Sequence, residues 1–244
     1  MKITKIKLEP EKFLGLDENE RVFFIMISIF ANEIAILHKL IAYSSAKDHS
    51  NPVLVRAHNT QAMFTMKLLG GLLFEGWLIL RNDYFSSKLS KEYDPLLTPI
   101  GKESIQKIKE YFSRENNIGL IRNKFAFHYD STEIKKNMPD LLKGEELELY
   151  MAEDHGNCLY FMSHAIANNA LLRLIGGTDP LEAIDTIFKD VLTVARHFLD
   201  FIGDIFLVFF RKHKELEAIM EDIDIPVPPD IGAVEMPYFI KRGI

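Results

Sequence analysis

The chain contains very little cysteine, with Cys158 the only one among 244 residues. A single cysteine excludes a disulfide within the chain and any zinc site built from several thiolates. The first residues carry charges, without the apolar segment followed by small residues that marks a signal peptide. These features are typical of a reducing compartment, and we expect a cytoplasmic protein with Cys158 in a structural role.

Two groups of cofactor motifs are also missing. The chain has neither GxGxxG nor a Walker phosphate loop, and no Glu precedes a His by three positions, as the di-iron bundles require. We therefore expect no cofactor and no metal. The remaining candidate metal ligands are scattered in the sequence, and only tertiary structure could bring them together: Glu33, His38, His58, Glu75, His164, His197, Asp200 and Asp204.

An excess of basic residues is lacking as well. The net charge is −6, which argues against a surface coated for nucleic acid. Locally, residues 101–128 hold six basic and three acidic side chains, whereas residues 129–160 hold eight acidic side chains and three Lys. Two interpretations stay open: a basic docking region bounded by an acidic one, or alternating solvated faces.

The longest apolar run, residues 191–210, is interrupted by charge. Arg196, Asp200 and Asp204 fall within it, so we interpret it as a buried helix and expect no membrane partner. Arg196 and Asp200 are four residues apart and can pair within a buried ion network. Asp204 then needs a different partner.

Helical periodicity covers most of the chain. It predicts helices over residues 21–45, from residue 52 to about 85, over about 102–114, from residue 117 or 118 past residue 128, and from residue 180 to about 220. Asp179 can cap the last of these, and Pro180 can open it. Three glycines lie inside the second helix, where they predict close approach of another helix: Gly70, Gly71 and Gly76.

A period of two replaces the helical pattern between residues 145 and 162, which predicts a small β-hairpin. We therefore predict an all-α fold, a bundle of long antiparallel helices with this hairpin as an insertion. A single domain is expected over residues 1–222. Residues 223–244, rich in Pro, are expected to form an extended tail packed on the surface or on a partner.

The segment IRNKFAFHYD, residues 121–130, combines three polar groups within an apolar frame. Arg122 is a planar cation suited to phosphate, Asn123 both donates and accepts, and His128 exchanges protons near neutral pH. This spacing resembles the signature of the HEPN superfamily, in which Arg, usually followed by Asn, Asp or His, precedes His by four to six intervening residues; here five intervene. The apolar residues before Arg122 and the aromatic residues around His128 also resemble that family, and the subgroup that the chain most resembles is the AbiU2-like set of phage-defence proteins.

The resemblance implies a HEPN-like helical bundle that dimerises and cuts RNA without metal. His128 would then handle protons, Arg122 would stabilise charge on the phosphate, and Asn123 would orient one of them. Lys124 would add a phosphate contact, and Glu75 is the best candidate for orienting Arg122. The implied partners are RNA, a second copy of the chain and a protein regulator, in a toxin or phage-defence system.

A non-catalytic interpretation stays open beside the enzyme. On a straight helix, an offset of six residues places Arg122 and His128 about 120° apart, so they do not share a face without help. In the alternative, Arg122 is a surface ion-pair residue and His128 is partly buried. The chain is then a helical binding module or an antitoxin-like regulator.

Overall fold

The computed structural model describes residues 1–44, 50–126, 131–141, 147–176, 179–216 and 220–241. Its α-helices are α1 (Pro10–Leu14), α2 (Glu18–Tyr43), α3 (Pro52–Ile79), α4 (Leu89–Tyr93), α5 (Pro99–Phe112), α6 (Asn117–Ile121), α7 (Ser131–Leu141), α8 (Phe161–Ile175) and α9 (Pro180–Lys212). Two π-helical turns span Leu80–Phe85 and Arg122–Ala126, and short 3-10 turns span Asp94–Leu96, His155–Asn157, Lys214–Leu216 and Ile231–Ala233.

A small antiparallel sheet joins two segments that are distant in sequence. Strand β1 (Lys2–Ile6) pairs with β2 (Met220–Asp224), and the ammonium of Met1 donates to the carbonyl of Ile225 at 3.0 Å. In the predicted hairpin, Tyr150 and Leu159 form an antiparallel bridge. The predicted fold class, an all-α bundle with a small β element, is confirmed.

Capping side chains set the starts of the long helices. Asp17 Oδ1 accepts from the amides of Asn19 and Glu20 at the start of α2. Asn51 does the same for α3, where its Oδ1 lies 3.0 Å from the amide nitrogen of Val53. These bonds satisfy amides that a helix terminus leaves without a partner. The first two helices are therefore confirmed, with α2 shifted slightly toward the N-terminus.

The start of α9 was predicted correctly, but its end was not. Asp179 Oδ1 accepts from the amide of Leu181 at 2.8 Å, as expected of the cap. The helix ends at Lys212, well before Met220. Met220 instead opens β2, which also takes in the first two residues of the predicted tail, because it pairs with Ile6. Strand pairing thus overrides helix continuation there.

The chain forms two compact units, and the predicted single domain over residues 1–222 stays a prediction. The first unit comprises residues 1–35, 75–114 and 193–230. Its core is strongly aromatic: Phe24 lies 4.1 Å from Phe209 between ring centroids, and Phe23 stacks on Tyr84 at 5.2 Å. Within this unit Phe30 packs against Gly76, where an added Cβ would lie 2.0 Å from the ring. The close approach predicted at Gly76 is confirmed.

A buried carboxylate network links three elements of the first unit. Glu20 is 4% exposed, and its carboxylate accepts from the Tyr93 hydroxyl and from Lys212 at 2.9 Å. His213 Nε2 lies 3.0 Å from the same Oε1. Burial raises the pKa of Glu20, but the hydrogen bonds from Tyr93, His213 and Lys212 outweigh it, so the pKa is lowered. Glu20 is held as an ion.

The predicted ion network on α9 is only partly correct. Arg196 Nε lies 3.6 Å from Asp200 Oδ2, but the Arg196 side chain is 82% exposed, so the pair is not buried. Spacing alone cannot tell which helix face meets solvent. Asp204 is buried and, as expected, has a different partner, since its Oδ2 accepts from the amide of Thr98 at 2.8 Å.

The second unit comprises residues 36–74, 115–192 and 231–244. Gly70 of α3 packs against Ile121 of α6, where an added Cβ would lie 3.2 Å from the Ile side chain. The end of the described tail is anchored here, because the Tyr238 hydroxyl donates to the Cys158 carbonyl at 2.9 Å and Ile240 donates to Asn157. The tail is therefore packed on its own chain in this stretch.

Within the described ranges, two segments are long and apolar enough to cross a membrane by length and composition alone: Glu18–Tyr43 and Pro52–Phe85. Core helices of soluble proteins share these features, and the apolar window is 28% buried in the first segment and 56% buried in the second. The absence of a membrane partner and the cytoplasmic location stay predictions.

Candidate functional site

The Arg-Asn motif lies where an α-helix widens into a π-helical turn. Asn116 caps α6, accepting from the amide of Gly119 at 2.8 Å, so the helix starts where the sequence predicts. From Arg122 to Ala126 the backbone is π-helical, with hydrogen bonds from residue i to i+5. The angle estimated for a straight α-helix therefore does not apply across these five residues. Single π-turns inside helices occur frequently at functional sites.

The guanidinium of Arg122 lies over an aromatic ring. Its Cζ lies 5.3 Å from the centroid of Phe74, and Nη1 donates to Asn123 Oδ1 at 3.1 Å. Arg122 is half-buried, whereas Asn123 is exposed. A cation over a ring face is attracted to it, so the ring and the amide together hold the guanidinium in place.

Lys124 forms an ion pair within the chain. Its Nζ lies 2.8 Å from Glu133 Oε1 on α7, and the Glu133 side chain is largely buried. A phosphate contact by Lys124 would have to compete with this carboxylate. The suggested role of Lys124 on phosphate stays a prediction.

The roles of two further predicted site residues stay predictions. His128 lies outside the described residues, so its geometry with Arg122 and Asn123 stays a prediction. Glu75 is half-buried and follows Phe74 directly in the chain. Its suggested role in orienting Arg122 likewise stays a prediction.

Packing beneath the motif is close. Ile118, Ile121 and Phe125 are buried. Asn117 Nδ2 donates to Asp190 Oδ2 at 2.8 Å, which ties the start of α6 to α9 within the second unit. The π-turn is thus supported by apolar contacts and by an inter-helix hydrogen bond.

A cavity of about 310 Å³ opens beside the π-turn. Its walls come from α3, the π-turn, α7 and α8, and the lining residues are Phe64, Lys67, Phe125, Ala126, Ile134, Ser163, His164 and Ala167. Burial lowers the pKa of Lys67. Burial and, after it, the charge of Lys67 lower the pKa of His164.

Two residues of this cavity stand out in the sequence. Lys67 is the one charged residue in the apolar stretch between Met63 and Phe74, which marks it as unusual. His164 appeared only among the dispersed ligand candidates. Lys67 and His164 line the same cavity because of how the helices pack, and the contact of Arg122 with Phe74 has the same origin. Local sequence does not encode this packing.

Within the described residues, no group of three or more His, Cys, Asp or Glu side chains is arranged to hold a metal ion. His58, one of the dispersed candidates, instead lies 3.1 Å from a Glu235 carboxylate oxygen. Comparisons with family models, curated proteins and solved structures found no match to this chain.

Proposed function

We propose that this chain is a HEPN-like, metal-independent endoribonuclease in which Arg122, Asn123 and His128 act on the scissile phosphate. The observation that supports it most is the π-turn, where Arg122 is held against Phe74 and bonded to Asn123. A cation with a restrained plane can present two parallel N–H donors to a phosphate.

The proposed reaction uses the ribose 2′-hydroxyl as nucleophile. His128 takes its proton as the oxygen attacks phosphorus, the bond between phosphorus and the 5′-oxygen of the next nucleotide breaks, and that oxygen takes a proton from water. Arg122 stabilises the charge that develops on the phosphate, and Asn123 holds the guanidinium through its side-chain oxygen. The products are a 2′,3′-cyclic phosphate and a 5′-hydroxyl.

We further propose a homodimer in the cytoplasm. Apolar side chains at helical spacing are exposed along α2: Val22, Ile25, Ile29 and Ile36. An exposed apolar stripe favours association, and a second copy of the chain would bring a second motif. A toxin or phage-defence setting with a protein regulator belongs to the same proposal.

A second candidate is a non-catalytic binding or antitoxin-like module. The specific observation in its favour is that Arg122 and Lys124 both have partners within the chain, namely Phe74 and Asn123 for the first and Glu133 for the second. Such contacts also suit a structural role. The net charge of −6 agrees with it.

Purified protein should cleave single-stranded RNA in the presence of EDTA. His128→Ala should abolish cleavage with little change in thermal midpoint, whereas the matched control His155→Ala, at an exposed position, should cleave normally. Mass spectrometry of the fragments should detect cyclic phosphate ends. A requirement for added divalent metal would refute the metal-free assignment, and unfolding of His128→Ala would favour the non-catalytic module.

A further inference from the structure

The cavity beside the π-turn contains a buried cation. Lys67 is 9% exposed, and its ammonium donates to Asn168 Oδ1 at 3.3 Å. Within the described ranges this amide is its hydrogen-bond partner, and no carboxylate pairs with it. A buried charge that lacks an opposite charge is costly, and such groups in clefts often mark binding sites.

The other polar groups of the cavity do not offset that charge. His164 and Ser163 on α8 line it together with Lys67, and the charge of Lys67 opposes protonation of His164, lowering its pKa after the larger effect of burial. Both side chains can donate a hydrogen bond to an anion. No acidic side chain is among the described lining residues, so the charge of Lys67 makes the described part of the cavity favour an anion over a cation.

The remaining walls are apolar. Phe64, Phe125 and Ile134 supply most of this surface, with Ala126 and Ala167 between them. At roughly 30 Å³ per water-sized group, the 310 Å³ cavity holds about ten non-hydrogen atoms. A bare inorganic anion would leave much of the apolar wall without contact, whereas an anion attached to a small ring or chain would cover it.

We propose that this cavity binds a small organic anion, with its charged group on Lys67 and its apolar part against Phe64, Phe125 and Ile134. Asn168 orients the ammonium, and His164 and Ser163 add donors. Neither Arg122 nor Asn123 is among the described lining residues, and the proposed contacts involve no residue of the proposed catalytic set, so the site stands independently of the proposed ribonuclease activity.

Calorimetric titration of the full chain with benzoate tests the proposal, because benzoate has a carboxylate on an apolar ring of suitable size. Benzamide is the neutral control of the same shape, phenyl phosphate tests a second anionic group, and inorganic phosphate tests charge alone. Benzoate or phenyl phosphate should bind at least ten times more tightly than benzamide and inorganic phosphate.

Three variants locate the binding. Lys67→Met keeps an unbranched side chain without charge and should weaken binding at least tenfold. Ala167→Leu fills the cavity while keeping Lys67 and should also weaken binding at least tenfold. Lys107→Met removes an exposed lysine and should bind as the wild type does. If Lys67→Met does not fold, Ala167→Leu and the ligand panel decide the matter.

Several outcomes would overturn the proposal. They are the absence of binding by either organic anion at millimolar concentration, equal affinity for benzamide, equal affinity for inorganic phosphate, and unchanged affinity in Ala167→Leu. The Arg122→Lys variant should bind benzoate normally, so a failure here is distinct from a failure of the ribonuclease proposal.

Discussion

The guanidinium of Arg122 lies over the ring of Phe74, with its Cζ 5.3 Å from the ring centroid. The contact joins the first residue of the π-turn to the side chain on α3 that immediately precedes Glu75 in the chain. A lysine ammonium keeps the charge but lacks the planar fork of N–H donors that lets Arg bond to Asn123 and to a phosphate at once. The two interpretations of the motif therefore make different predictions for one substitution.

Arg122→Lys should lower the rate of RNA cleavage by about 100-fold, as expected for losing one positioned donor to a developing charge. RNA binding should weaken little, because the positive charge is retained. The free energy of unfolding should change by less than about 1 kcal/mol. The control is Arg196→Lys, at an exposed position on α9, which should cleave RNA at the wild-type rate. Near-wild-type cleavage by Arg122→Lys would count against a catalytic Arg122.

Two Gly→Ala substitutions inside helices should have opposite effects on stability. Gly76→Ala should destabilise the protein by about 1–3 kcal/mol, because the new methyl group meets the buried ring of Phe30. Gly203→Ala should stabilise it by about 0.5–1 kcal/mol, since an added Cβ there meets nothing within 4 Å. Urea unfolding of both variants measures the difference. A stabilising Gly76→Ala would contradict the observed packing of Phe30.

Because of the Glu20 network, the free energy of unfolding should depend on pH in the acid range. The lowered pKa of Glu20 means that its ionised form stabilises the fold above the ordinary pKa of 4.5, and that this contribution is lost as pH falls through the lowered value. At pH 7, Glu20→Gln should cost about 2 kcal/mol, the range for hydrogen bonds to a charged group. Urea unfolding should show the two proteins converging as the pH falls well below 4.5.

The matched control for Glu20→Gln is Glu110→Gln. Glu110 is exposed and pairs with Lys107 at 3.6 Å on the surface of α5. Exposed pairs contribute about 0–1 kcal/mol, so this variant should show little loss at pH 7. Equal losses in both variants would mean that burial of Glu20 does not strengthen its network.

Local chemistry made several helix starts predictable. Asn116 and Asp179 cap helices at the expected positions, and Gly176, with a φ of 104°, ends α8 in the left-handed conformation that glycine favours. Each of these residues acts on backbone groups a few positions away. The signal is therefore contained in a short window of sequence.

Nonlocal pairing was not predictable in the same way. Ile3 and Ile223 pair across β1 and β2, and every residue of β1 is exposed, so no buried alternation marks the strand. The π-turn at Arg122 differs from an α-helical turn by one residue in each hydrogen-bonded ring. The amino-acid composition does not distinguish the two kinds of turn. The burial of Lys67 depends on where α8 packs.

The charge of Lys67 should influence the titration of His164. Burial lowers the pKa of His164 first, and Lys67 lowers it further, so Lys67→Met should raise that pKa while leaving it below 6.5. Imidazole proton shifts followed by NMR between about pH 4.5 and 8 measure the change, in the range where His titrates.

His197 provides a reciprocal control for this titration. Burial is the main cause of its lowered pKa, and Lys107 contributes to the lowering. Lys107→Met should raise the pKa of His197 without changing that of His164. Lys67→Met should raise the pKa of His164 without changing that of His197. An unchanged pKa of His164 in Lys67→Met would show that the charge of Lys67 does not lower that pKa.

The apolar stripe of α2 predicts a homodimer. Ile29 is 53% exposed, with Val22 and Ile25 exposed on the preceding turns. Light scattering at tens of micromolar should give twice the mass of the 28.1 kDa chain.

Ile29→Asp should shift the protein to monomer, because a carboxylate in an apolar interface is costly to desolvate. Val227→Asp, also at an exposed apolar position, should remain dimeric. A monomeric wild type would contradict the proposed homodimer, and membrane-vesicle binding that is lost in Ile29→Asp would assign the stripe another role.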